Sequence, residues 1–346
     1  MPKFSVEYLL SVTREIIEST GTPVPIARRV AQALINANLA GHESHGIMRL
    51  PEYLEQVDQK LIRVDAEPQV VSETPGTAVM DARRGWGHYA LDRAMAKAIE
   101  KSKTVGIGAV ALSGCNHAGR MGEYVEAATA AGCIGMIFAG VGGRQTGCAA
   151  PFGGRGHYLG TNPLAIGVPD GGAAPFVLDF ATTMAARGKI KVALSRGVPL
   201  PEGWILDSDG KAATRPEDFF EGGSLLHFGG HKGYALSLMA CLLGGLSGAF
   251  QPEHERMGGI FVQAIDVSAF HPLEGYSQNA GRFLSAIKSA PRAEAGQEVM
   301  FAGEPEARHR RFCLAQGIEL PDSVWNGIIE ATVKRGLSLA QESPPS

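Results

Sequence analysis

The run Gly106-Ile107-Gly108-Ala109-Val110-Ala111 constrains the fold more than any other stretch of the chain. Its spacing imitates the glycine fingerprint of a dinucleotide-binding turn, where glycines follow a strand and open a helix so that backbone amides face a pyrophosphate. Here the glycines lie inside an extended run from Val105 to Leu112, and the next helical pattern begins only near Gly119. They cannot deliver amides to a phosphate at a helix start, so a Rossmann turn is excluded at this place. A dinucleotide, if one binds, needs another geometry.

Around that run the hydrophobic period alternates. Residues 90–103 and 121–131 read as helices, residues 105–112 and 133–139 as strands, which defines an α/β lobe opening near residue 75. Ahead of it, Phe4, Tyr8, Leu9, Val12 and Ile16, with Ser5 as a cap, form one amphipathic helix. Ile26, Val30, Leu34 and Ala37 form a second behind Pro25, and Pro51 to Val57 a third. Pro68 and Pro75 punctuate a loop before the strand 78–81. Beyond residue 140 come a strand from Pro175 into a helix bearing Arg187-Gly188-Lys189, a loop-like passage 197–223, an apolar helix from Gly233 and an extended run 259–267. A helix through Phe283 and Ile287, a basic helix and a last helix over 323–335 follow, and the tail after Leu339 is expected to be disordered. The predicted class is α/β (α+β), with residues 1–74 and 225–346 forming a discontinuous helical lobe and 75–224 an α/β lobe.

Composition narrows the partners. With 346 residues, 45% apolar content and a formal net charge of -3, the chain can bury a large core and carries no electrostatic footprint for nucleic acid or an anionic membrane. The five cysteines, Cys115, Cys133, Cys148, Cys241 and Cys313, are scattered without a C-x-x-C pair and read as reduced thiols. Met1-Pro2-Lys3-Phe4 lacks the layout of a signal peptide, so a cytoplasmic location is expected. The uncharged stretch from Gly233 to Pro252 carries three glycines near its end and reads as a buried core helix, not a membrane span. No metal is expected. His42-Glu43-Ser44-His45 is one residue short of the zinc helix H-E-x-x-H, and Asp207-Ser208-Asp209-Gly210 lacks calcium-loop spacing and reads as a turn.

The chemistry-bearing residues cluster at element ends. Gly41-His42-Glu43-Ser44-His45-Gly46, followed by Arg49 and Tyr53, packs two imidazoles, a hydroxyl and a guanidinium at a helix boundary, where they serve either as caps or as a site. Asp179 ends an apolar strand and can cap a helix or orient an imidazole. The glycine-dense stretch from Gly140 to Gly160 is either a surface loop or backbone held close to a ligand. Lys232 stands among small residues at a helix start, a reasonable anion site.

Five motifs occur in one order: Gly41-His42-Glu43-Ser44-His45-Gly46 with Arg49 and Tyr53, Asn116-His117-Ala118-Gly119-Arg120, Gly160-Thr161-Asn162-Pro163, Leu178-Asp179-Phe180-Ala181-Thr182 with Gly188-Lys189, and Gly230-His231-Lys232-Gly233-Tyr234. Together they resemble the malate/L-lactate dehydrogenase family, and segments such as Gly223-Ser224-Leu225-Leu226-His227-Phe228 look most like its hydroxycarboxylate dehydrogenase B branch. Arg49 departs from that branch and matches the malate and lactate members.

The resemblance implies a non-Rossmann NAD(P)-binding fold with a largely antiparallel sheet, a homodimer, and hydride transfer between NAD or NADP and a 2-oxo or 2-hydroxy acid. It implies His45 as the general acid, with Ser44 and Asp179 to relay or orient, His117 as the second candidate acid, and Arg49 and Thr161 on the substrate. For the cofactor it implicates Gly119, Arg120, Met121, Asp179, Phe180, Ala181, Thr182, Thr183, Lys189, His231, Lys232 and the turn Gly303-Glu304-Pro305. Two other readings stay open, a reductase of cyclic imine-2-carboxylates using the same cofactor and a catalytically silent binding protein.

Overall fold

The computed structural model describes residues 2–172, 175–294 and 296–337; the expected disorder after Leu339 lies outside the described residues. The chain is a mixed α/β protein built on one large sheet. Its long strands are β1 (Gln69–Glu73), β2 (Thr77–Asp81), β3 (Ile107–Ser113), β4 (Cys133–Gly142), β5 (Leu164–Val168), β6 (Phe176–Phe180) and β7 (Arg256–Asp266), in the spatial order β1-β2-β3-β7-β4-β5-β6. Only β2 and β3 run parallel among these neighbours; the others are antiparallel. The two-residue strand Phe250–Gln251 folds back on the start of β7.

The helices are α1 (Val6–Glu18), α2 (Val24–Leu39), α3 (Leu50–Asp58), α4 (Gly87–Val105), α5 (Gly122–Ala130), α6 (Arg187–Arg196), α7 (His231–Gly244), α8 (Leu273–Lys288), α9 (Glu304–Gln316) and α10 (Asp322–Val333). Gly108 lies inside β3 because α4 presses on it there. A Cβ at that position would stand 2.1 Å from the Ala98 carbonyl oxygen, so the glycine serves helix–sheet contact.

Three apolar clusters hold the molecule. Leu9, Ile16, Leu34, Leu50 and Tyr53 pack with Ile318 and Ile328 from the far end of the chain. The same union is sealed by the pairing of Lys3–Phe4 with Ile318–Glu319 and by Phe4 against Trp325 at 4.3 Å. The sheet and its helices α4 and α5 bury Leu91, Met95, Val110, Val125, Ile137 and Val262. A third cluster joins Leu159, Ile190, Ile205, Leu225 and Cys241. Arg29 of α2 ties the first layer to the second, with ion pairs of 2.6 Å to both Asp92 and Glu123.

Two sequence expectations need correction. From sequence, residues 225–346 group with the helical lobe, yet β7 lies in the middle of the sheet, with Ile260–Ile265 paired to β3 and Met257–Asp266 to β4. Its alternating burial shows one face packed against the core, and its backbone pairs on both edges. The helix from Gly233 is also not buried all round. Its small residues Gly233, Ser237, Ala240 and Gly244 face the sheet, close enough that a Cβ at Gly140 would meet the α7 backbone at 2.4 Å. Leu238, Met239 and Leu242 are exposed on the outer face. No helix among the described residues is long and apolar enough to cross a membrane.

Candidate active site

The Gly41–Arg49 connection is held by its neighbours from both sides. After α2 the chain makes two tight turns, Glu43–His45 and Ile47–Arg49, before α3 begins. Buried Asn38, near the end of α2, accepts the Ile47 N–H at 2.8 Å through Oδ1. A Cβ at Gly46 would stand 2.2 Å from that same oxygen, so only glycine lets the turn close on the helix. Gly41 takes φ +77 against the ring of His309, whose Nδ1 lies 3.0 Å from the Leu39 carbonyl oxygen.

This rigid turn presents His45 to His117, and the two rings stack at 5.6 Å and 15°. Ser44 Oγ lies 3.1 Å from His45 Nδ1. The Tyr53 hydroxyl lies 2.6 Å from His117 Nδ1, and the Gly119 N–H donates to the same nitrogen at 3.4 Å. An amide N–H can only donate, so His117 Nδ1 is assigned as an acceptor and the ring proton as sitting on Nε2. Burial pushes the Tyr53 hydroxyl up to about 12, which keeps it a donor. Burial, aided by His42, Arg49 and Arg120, pulls His45 down to about 4. His117 falls well below the usual imidazole range for the same first reason, with Arg49 next. Beneath them His88 is 1% exposed, stands edge-on to Tyr53 at 5.4 Å and has no partner on either ring nitrogen. Burial drives it to about 3, so all three rings are neutral at neutral pH.

The stacked pair opens onto a cleft of about 720 Å³. Gly119, Met121 and Thr161 line it with His45 and His117, as do Phe250, Gln251 and Arg256 of the hairpin. Beside it, Asp179 does not reach His45. Its Oδ2 accepts the Gly122 N–H at 2.7 Å and lies 3.9 Å from Arg120 Nε, so it holds the start of α5, the first role weighed for a carboxylate at a strand end. Burial raises its carboxyl, with Arg120 opposing the rise. Arg120 is itself buried and pairs with Glu126 at 2.8 Å. Arg49 is engaged by Glu52 through two contacts, 2.9 Å and 3.0 Å, and lies over the Tyr53 ring at 5.6 Å. It is therefore not idle, as an anchor awaiting a carboxylate would be.

The remaining residues fall into two groups. Phe180 to Thr183 leave the sheet where α6 and α7 begin: the Phe228 N–H donates to the Thr182 carbonyl at 3.1 Å, and the Gly188 position lies against Ser44. Both helix starts lack a side-chain cap, and exposed Lys189, His231 and Lys232 stand there. The Gly303-Glu304-Pro305 turn lies elsewhere. Gly303 at φ +100 closes on the Pro175 carbonyl, and the turn borders two adjoining cavities of about 740 and 660 Å³ shared with Asp170 and Arg311. Glu126 and Glu306 line the second cavity, Glu126 paired to Arg120 and Glu306 to His42 at 3.3 Å. Pyrophosphate chemistry needs free amides and cations, and the uncapped helix starts with their lysines fit it. Arg120 Nε and Glu306 Oε2, buried atoms that make no hydrogen bond, fit further polar contacts from a ligand.

Sequence reasoning missed Asn38, Glu52, His88 and Arg256. Asn38 had a signal, a polar residue on the apolar face of α2. His88 lies ahead of the helix expected over 90–103, and nothing in the local pattern singled out Glu52 or Arg256.

With this geometry in hand, residues 4–329 match the family model described as malate/L-lactate dehydrogenase, and the chain belongs to that family. It is an enzyme of the 2-hydroxyacid dehydrogenase class. An L-sulfolactate dehydrogenase of Methanothermobacter thermautotrophicus is 34% identical over 337 residues, covering 94% of this chain and 95% of its own. Hydroxycarboxylate dehydrogenase B of Escherichia coli K12 is 34% identical over 346 residues, covering 97% and 95%. The solved sulfolactate dehydrogenase of Methanocaldococcus jannaschii superposes with a TM-score of 0.88 at 33% identity, covering 98% of both chains.

Proposed function

We propose that the enzyme interconverts a 2-oxo acid and its 2-hydroxy acid with NAD or NADP, His45 exchanging the proton on the C2 oxygen. The nicotinamide, when bound, supplies or accepts the hydride. The observation that carries the assignment is the pairing of His117. Its Nδ1 is occupied by two donors, so His117 is confined to donating from Nε2, while His45 has a single adjustable partner in the Ser44 hydroxyl, free to donate or accept. A ring that must gain and lose a proton each turnover needs that freedom.

In oxidation, neutral His45 takes the hydroxyl proton as the C2–H leaves with its electron pair. In reduction the imidazolium returns it to the developing alkoxide. A pKa near 4 makes the base form ready before substrate binds; a bound substrate carboxylate raises it, since an opposite charge favours the imidazolium. Arg49 serves as the carboxylate anchor once Glu52 yields it. Thr161 lines the cleft as a substrate contact. Ser44 fixes the His45 ring, and Asp179 acts at one remove by holding Gly122 and Arg120.

Gly119, Arg120, Met121, the Phe180–Thr183 turn, the α6 and α7 starts and the Gly303-Glu304-Pro305 turn would hold the cofactor. This binding does not use a Rossmann turn, since a mostly antiparallel sheet offers no run of parallel strand ends for one. We assign a homodimer, supported by the exposed Leu238, Met239 and Leu242 of α7. A cytoplasmic location is supported by five free cysteines. The test is a panel of pyruvate, phenylpyruvate, oxaloacetate, 2-oxoglutarate and Δ1-piperideine-2-carboxylate with NADH and NADPH. Absorbance at the reduced-nicotinamide band falls with at least one 2-oxo acid. Turnover of the imine alone, or of nothing, sinks the reading.

A further inference from the structure

One face of α9 grips the segment that leads into the catalytic turn. Glu306 and His309, three residues apart, lie on that face with Cys313 of the first core cluster one turn further. A Cβ at Gly41 would stand 3.3 Å from the His309 ring, whose Nδ1 lies 3.0 Å from the Leu39 carbonyl oxygen. One residue on, His42 Nε2 lies 3.3 Å from Glu306 Oε1. The hydrogen bond to His42, ahead of the other influences, holds the Glu306 carboxyl below the usual carboxylate range. The oxygen is therefore an acceptor at neutral pH, and His42 Nε2–H is assigned as the donor. The two side chains are 28% and 31% exposed, which sets this contact apart from a fully solvated surface pair.

His42 is the node of the turn. Its N–H donates to the Ala37 carbonyl at 2.8 Å, and its carbonyl accepts the His45 N–H at 2.9 Å. Its ring stands edge-on to the His45 ring at 6.5 Å. No side chain caps the tight turn Glu43–His45. Asn38 fixes the far side of the connection at Ile47. On the near side, the bond to Glu306 is the one side-chain hydrogen bond that His42 makes among the described residues.

We propose that Glu306 is a positioning residue for the reaction: it orients His42, and through His42 it sets the backbone of His45 and the place of its imidazole. It acts from outside the cleft, since Glu306 lines the second cavity and not the one in front of His45. The inference rests on the reading of His45 as the proton carrier. A displaced imidazole slows the proton step without changing how tightly the cofactor binds.

The experiment is a double-mutant cycle in the full-length enzyme. It measures kcat, KM and cofactor affinity for the wild type, Glu306→Ala, His42→Ala and the double variant, with Glu306→Gln as the conservative replacement and His45→Gln as the reference for the proton carrier. Glu306→Ala lowers kcat about tenfold, a fraction of the roughly hundredfold cost of a 1 Å misplacement. KM and cofactor affinity stay within about twofold of the wild type. Glu306→Gln, whose amide oxygen still accepts from His42 Nε2, recovers most of the loss. In the double variant kcat matches that of His42→Ala alone, because Glu306 acts through a group that is no longer there. The proposal is overturned if Glu306→Ala keeps the wild-type kcat, if its loss multiplies with that of His42→Ala, or if Glu306→Gln is as slow as Glu306→Ala. A loss that falls on cofactor affinity instead of kcat overturns it as well and makes Glu306 a cofactor contact. His45→Gln with wild-type kcat would sink the proton-carrier reading itself, whatever the cycle gives.

Discussion

Removing the Tyr53 hydroxyl isolates what holds His117 in its donor form. In Tyr53→Phe the ring, 1% exposed, keeps its packing and its place under Arg49, and the 2.6 Å bond to His117 Nδ1 is lost. What remains at that nitrogen is the Gly119 amide at 3.4 Å. Leaving a buried acceptor nearly unpaired costs about 1–3 kcal/mol. The residual amide places the value near the lower end, and the full amount in the barrier would slow the reaction about five- to tenfold. The loss has a pH signature. Losing a donor that pins the neutral ring raises the His117 pKa, while burial and Arg49, the leading causes of its depression, are unchanged. Protonated His117 then opposes a proton on the stacked His45 and no longer presents a neutral donor. Measured as hydroxy-acid oxidation from pH 5 to 8, kcat/KM of the variant falls about five- to tenfold at pH 7, and its acid-side decline sets in at a higher pH than in the wild type. In the wild type both imidazoles stay neutral to lower pH. A variant with wild-type kcat/KM and a wild-type pH profile would refute the reasoning.

Three further outcomes follow from individual contacts. Glu52→Gln releases Arg49 from a competing carboxylate, and KM for the 2-oxo acid falls up to about fivefold, the range of a half-exposed ion pair; an unchanged or higher KM would remove Arg49 as the anchor. Gly46→Ala drives a Cβ into Asn38 Oδ1, a 2.2 Å clash, so kcat falls about a hundredfold while far-UV circular dichroism is preserved; wild-type kcat would mean that the turn is soft. For His88 the folded pKa of about 3 lies below the unfolded value, so the folded state binds fewer protons and stability drops as pH falls from about 6.5 toward 3, by an amount on the order of 5 kcal/mol. His88→Leu abolishes that drop and is near neutral at pH 7.5, because two unpartnered nitrogens disappear; thermal melts at pH 5 and 7.5 decide it, and an equal acid loss in both proteins would contradict it.

Much of the element order was legible because it rests on local pattern. The amphipathic spacing of Leu9, Val12 and Ile16 and of Ile26, Val30 and Leu34 identified α1 and α2, and the position of Gly108 inside a strand was plain from its apolar neighbours. The sheet order was not legible. Nothing local in Arg256–Asp266 states that it inserts between β3 and β4, because strand pairing is decided by long-range competition for buried faces. The site divides the same way. His45, Ser44 and His117 could be picked out as chemistry-bearing residues at element ends. Asp179 was expected to orient an imidazole or cap a helix, and only the geometry puts it on the Gly122 amide. Glu52 and Arg256 escaped notice because a surface charge acquires meaning from what it faces, and spacing in one dimension does not carry that. His88 escaped because its lack of partners exists only in the packed interior.

The most direct measurement is kcat of His45→Gln beside His117→Gln, at saturating cofactor and pH 7, with cofactor affinity read separately from quenching of protein fluorescence. His45→Gln loses about a hundredfold or more at unchanged cofactor affinity, since the proton carrier is gone, and His117→Gln, whose amide still donates, loses about tenfold. A His45→Gln enzyme that turns over at the wild-type rate while His117→Gln is inactive would contradict it and make His117 the proton carrier.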